Sequence, residues 1–170
     1  MLNINGLLDI DKISGIGIEN PKNIKRCFDE NNKEAISSLS DGEIIIYIYF
    51  KELVDLSAIQ IDCPFNCYPF YANFYRFNTE ICFEDMSLKP DVSLRVFDDQ
   101  RHFLKMQNVD YLTLFLKRQD SISILNITFY GQLNKRNKRK LDKVLIKWHD
   151  SDCIELDKKI AIREGKIICN

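Results

Sequence analysis

The residues of this 170-residue chain best suited to bind metal, pass electrons or move protons are its six cysteines and two histidines. Cys63-Pro-Phe-Asn-Cys67 brings two thiols close, but three residues separate them, which is not the C-x-x-C spacing of a thioredoxin-type redox pair. A structural zinc wants four ligands, commonly in two close pairs. Here one close pair exists, and His102 and His149 stand far apart in sequence. With Cys27, Cys82, Cys153 and Cys169 dispersed, the cysteines read as free thiols of a reducing compartment, with no metal. His102, beside Phe103 in an apolar segment, reads as a packed histidine. His149 sits between Trp148 and Asp150, where a local contact accounts for it.

Other catalytic patterns are incomplete. Gly15-Ile16-Gly17 lacks the third glycine of a phosphate-binding loop, and no G-x-S-x-G nucleophile elbow occurs. Glycosidase chemistry holds two carboxylates apart across a substrate. Asp29-Glu30, Glu84-Asp85 and Asp98-Asp99 are instead sequence neighbours in polar stretches. The expectation is a protein that is not an enzyme and takes no cofactor.

The segments that must carry any site are short and rich in β-branched and aromatic residues. Ile44 to Phe50 is a continuous apolar run, as in a strand covered on both faces. Leu56–Ile61, Phe70–Phe77, Val92–Phe97, His102–Met106, Tyr111–Lys117 and Ile122–Tyr130 follow it. In Tyr111–Lys117, Leu112, Leu114 and Leu116 share one face with Thr113 opposite. Turn signals such as Ser40-Asp41-Gly42 and Lys89-Pro90-Asp91 punctuate the series, and Cys63 to Pro69 reads as a loop. Seven or more short strands at this spacing predict an all-β sandwich or jelly roll.

Charge divides the chain unevenly. The net charge is −1, which excludes a general polycation, and the longest apolar run is too short for the roughly 20 residues of a membrane span. Met1 to Asp11 has no basic n-region, so no secretory signal is expected. Residues 1–131 hold 13 Lys and Arg against 19 Asp and Glu, whereas residues 132–170 hold 11 against 6. That shift predicts a core domain over 1–131 and a basic extension over 132–170. Lys135, Arg136, Lys138, Arg139 and Lys140 form its basic patch, read as a solvated helix start, with a nuclear-import signal or a patch for nucleic acid or an acidic protein face as the other reading. The extension is expected to tune partner binding electrostatically. Leu141, Val144, Leu145 and Trp148 recur at helical spacing after it, and Ile160–Ile162 with Lys166–Ile168 suggests a terminal hairpin. No RNA-reading aromatic motif accompanies the patch, so nucleic acid is not an expected partner.

Several stretches, in order, resemble a PITH domain, the module found at the C-terminus of a proteasome-interacting thioredoxin-related protein and also alone. His102-Phe-Leu-Lys105-Met-Gln107-Asn108-Val109-Asp110-Tyr-Leu112-Thr113-Leu-Phe115 resembles the family's aromatic-aliphatic-Lys-aromatic-Gln-Asn-Val-Asn block and the strand after it. Ile127-Thr128-Phe129-Tyr130-Gly131 is similar to its closing strand, and Ser40-Asp41-Gly42-Glu43 to its acidic turn. Cys82-Phe83-Glu84-Asp85 and Leu8 to Asn20 complete a resemblance over about residues 7–131. The resemblance implies a jelly-roll β-sandwich of the galactose-binding-like type. It also implies association with the regulatory particle of the 26S proteasome, in cytoplasm and nucleus. The thioredoxin domain of the fused members is expected to be absent, and the chain alone monomeric. Lys105, Gln107, Asn108 and Asp110 are the candidate partner contacts. Their alternative is structural, because Asn108-Val109-Asp110 could make a turn through side-chain-to-backbone bonds. Three rival functions stay open: a scaffold subunit of another complex, a redox or thiol enzyme using Cys63 and Cys67, and a carbohydrate- or small-molecule-binding module of the same fold, with Tyr68, Tyr71 and Tyr75 near a predicted loop.

Overall fold

The structure, a computed structural model, describes residues 1–76 and 82–134. The basic patch Lys135 to Lys140, the helix through Trp148 and the terminal hairpin lie outside the described residues. Among the described residues nine strands occur in chain order: β1 (Leu2–Asn3), β2 (Ser14–Ile16), β3 (Ile36–Ser37), β4 (Glu43–Asp62), β5 (Phe70–Tyr75), β6 (Val92–Val96), β7 (His102–Lys117), β8 (Ser123–Ile124) and β9 (Asn126–Leu133). Short 3-10 turns join many of them, among them Pro21–Phe28 and Phe65–Cys67.

Two strands build the sandwich. Ile44–Phe50 and Leu56–Ile61, separate segments by their patterning, are halves of the 20-residue β4. His102–Met106 and Tyr111–Lys117 are likewise halves of the 16-residue β7. The two pair antiparallel, but between Tyr49↔Tyr111 and Val54↔Val109 residues 50–53 face only Asp110. Surplus backbone on one partner bends a strand pair. The first half of β4 and the second half of β7 join β2, β5 and β6, and the second half of β4 and the first half of β7 join β9 and β1. Ile44, Ile46 and Ile48 from one side of the bend and Leu56, Ile59 and Ile61 from the other enter one core with Leu104, Leu112 and Phe129. The fold is therefore an antiparallel β-sandwich made by bending a long strand pair over its own apolar face.

The patterning of the Ile-rich run is realised on both faces. Ile45 and Tyr47 turn away from the main core and form a second cluster with Tyr75, Tyr111 and Phe115. Phe83 closes it, its ring edge-on to Phe115 at 6.4 Å. Leu112, Leu114 and Leu116 face the main core as expected, and Thr113 opposite them is also buried, bonded to the Tyr111 hydroxyl at 2.9 Å. At the chain start Asn5 substitutes for a strand: its Oδ1 accepts the Phe129 N–H at 2.9 Å and its Nδ2 donates to the Ile127 carbonyl at 2.8 Å. Buried backbone groups of β9 beyond the short β1 thereby keep partners.

Candidate interaction surface

The four singled-out residues all lie on β7, all exposed, where the strand passes the bend. The structure separates them by role. Leu56↔Met106 and Val54↔Val109 leave Gln107 and Asn108 opposite Asp55 alone, a β-bulge. Asn108 takes φ +57°, and its N–H donates to Asp55 Oδ1 at 3.0 Å. Asparagine tolerates this left-handed conformation better than most residues. Asn108-Val109-Asp110 thus lies within a bulged strand instead of a turn, and the side chain that bonds the Asn108 N–H is Asp55 of β4. The Gln107 carbonyl accepts from Arg76 Nη1 at 3.2 Å, and Arg76 is held by Asp91 at 2.8 Å. Lys105 and Gln107 stand on the outer face with Phe103, while Leu104 and Met106 point inward.

Cross-strand neighbours complete this outer face, and sequence spacing had shown none of them together. Ala58 of β4 pairs with Phe103 on one side and Tyr130 on the other. The alanine side chain is too small to separate its neighbours, and the Arg101 guanidinium lies 4.0 Å from the centroid of the Tyr130 ring. Phe103 is 72% exposed beside them, a large apolar side chain left in water. A polar groove of about 350 Å³ adjoins, lined by Glu30, Asn32, Gln60, Asp62, Asn126 and Thr128 among others. Its floor is internally bonded: Tyr130 Oη donates to Gln60 Oε1 at 3.0 Å, and Gln60 Nε2 to Asp62 Oδ1 at 3.1 Å.

The residues considered for chemistry are in structural use. His102 is largely covered, with Nε2 at 3.6 Å from Asp98 Oδ1. Tyr68 Oη donates to the Ile61 carbonyl and accepts the Cys63 N–H, pinning the loop expected from Cys63 to Pro69. Tyr75 is buried, and Tyr71 is half-exposed with the Arg95 guanidinium 5.7 Å from its ring. Cys27, Cys63, Cys67 and Cys82 are free thiols. Burial pushes the Cys27 thiol up to about 12, and burial with the nearby Cys67 raises Cys63 further. Both are therefore protonated and poor nucleophiles. An unfolded cysteine titrates near 8.5, so the stability tied to neutral Cys27 is full below about pH 8.5 and falls as pH rises toward 12. Urea midpoints from pH 7 to 11 should decline more steeply for the wild type than for Cys27→Val; parallel declines would show that Cys27 is not the titrating group.

A PITH domain family model matches residues 2–149. The chain belongs to this family. Among curated proteins none matches it. Three solved structures share the shape of this PITH sandwich at low identity. A Streptococcus pneumoniae fucose-binding module aligns with TM-score 0.54 and 12% identity over 76% of this chain and 96% of its own. The fucolectin of striped bass, Morone saxatilis, gives 0.52 and 10% over 78% and 50%. The lectin domain of lectinolysin, solved with Lewis B antigen, gives 0.51 and 7% over 71% and 92%. These likenesses show the galactose-binding-like fold and nothing finer.

Proposed function

We propose that this PITH chain is a non-enzymatic interaction module that associates with the regulatory particle of the 26S proteasome in cytoplasm and nucleus. The observation that carries the reading is the family match over most of the chain. The surface chemistry is compatible with it: exposed Phe103, Phe97 and Tyr71 with Arg95 and Arg101 are of the residue types enriched at protein interfaces. The non-enzymatic part is supported by the use of His102, Cys27 and Cys63 in packing and local bonds. The test is affinity capture of the tagged full chain from its own cells at low salt, followed by mass spectrometry. Recovery of regulatory-particle subunits is expected; clean recovery of a different complex without them would defeat the assignment.

A second reading, a carbohydrate-binding module, draws on the neighbours named for fucose binding and on the polar groove beside Tyr130. The ring face that would stack on a sugar is covered by Arg101 in this chain, which weighs against it. A glycan array without hits would dispose of it.

A further inference from the structure

The second half of the sandwich ends on an open strand. Residues 102–109 of β7 pair with β4 on one side, and among the described residues no strand pairs with the other. Such an edge offers backbone N–H and C=O groups to any extended chain that approaches, and folded proteins usually shield it. Here the ends are tied, by Asp98 at His102 and by Arg76 at the Gln107 carbonyl, leaving Phe103 to Met106 between them. On the outer face this stretch reads Arg101, Phe103, Lys105, Gln107 at every second residue. Neither Arg101 nor Lys105 has an ion pair among the described residues. The strip is thus cationic and aromatic on a domain whose residues 1–131 carry an acidic excess.

We infer that this edge of β7 is a docking site for an extended acidic and apolar peptide segment of a partner, which adds as a strand beside Phe103–Met106. Backbone pairing supplies the attachment, Phe103 packs an apolar side chain of the guest, and Arg101 and Lys105 meet its carboxylates. Charge decides against a second copy of this chain. No carboxylate lies between residues 101 and 107, so no register of the edge against itself opposes a cation with an anion. The inference rests on the interaction-module reading and names the surface that would carry it.

The test is a titration of the isotope-labelled full chain with a short synthetic peptide of alternating valine and aspartate, followed by amide shifts and hydrogen exchange. Shifts and slowed exchange are expected over 101–107. Binding should weaken with added salt and by about tenfold in Arg101→Glu/Lys105→Glu. It should vanish when alternate peptide nitrogens are methylated, a change that removes backbone pairing and leaves the side chains. Unchanged melting of the double variant certifies its fold. Perturbation confined to other surfaces, undiminished binding of the methylated peptide, or no response at millimolar peptide would overturn the inference. Proteasome capture separates the two claims. Equal capture by the wild type and the double variant overturns the edge as the docking site and leaves the proteasome reading standing. Capture by neither overturns that reading, while the peptide titration still decides the edge.

Discussion

Replacing Phe129 by alanine should lower the unfolding free energy by about 4 kcal/mol, among the largest losses a single side chain can give here. Phe129 is fully buried on β9, its ring stacked against Phe28 at 6.4 Å and edge-on to Phe50 at 5.8 Å. Those partners come from the turn Pro21–Phe28 and from the bend of β4, so one ring ties three elements that are distant in sequence. The cost combines lost transfer energy with a cavity that a corner held by backbone ladders cannot collapse into. For a domain of this size it corresponds to roughly a 10 °C fall in melting temperature. Phe129→Leu, which keeps most of the volume, should cost less than half as much. Equal losses for the two variants, or a loss under about 1 kcal/mol for alanine, would show that the bend does not depend on this contact.

Gly42→Ala should cost about 3 kcal/mol, through strain and not through lost burial. Gly42 sits just before β4 at φ +68°, where a side chain is disfavoured. A Cβ there would lie 2.1 Å from the Asp120 carbonyl oxygen and 2.6 Å from that of Arg118. Both obstacles are backbone, so relief requires moving the turn in which the Gly42 N–H donates to the Leu39 carbonyl and the Gly42 carbonyl accepts the Arg118 N–H. Gly6 supplies the control: nothing lies within 4 Å of a Cβ there, and Gly6→Ala should be within about 0.5 kcal/mol of wild type. Urea unfolding of the pair separates a general glycine effect from this particular crowding. Similar midpoints for the two variants would remove the argument.

Much of the sandwich was legible because strand patterning is local. Side chains alternate with a period of two, so Leu112, Leu114 and Leu116 declared a core face, and Ile44 to Phe50 a strand covered twice. The block from His102 to Phe115 also carried the family resemblance that the match over residues 2–149 bears out. Local alternation could not show that four of the segments were two bent strands. The bend depends on which residue lies opposite which, and residues 50–53 are surplus only relative to Asp110, some 60 positions away. Pairing slips had a similar effect at the candidate surface. Gln107 and Asn108 looked like equivalent exposed polar residues, and only their register against Asp55 assigns Asn108 to the bulge.

The sequence alone therefore determined the all-β class, the core faces and the family, since each is written in residue order over a few positions. Tertiary structure decided where those faces meet and what the surface presents. Arg101, Phe103, Ala58 and Tyr130 become neighbours only through two strand pairings, and the edge of β7 is open among the described residues only because its partners change at the bend. Hydrophobic alternation selects which side chains are buried. Register and chain connectivity select which exposed ones stand together.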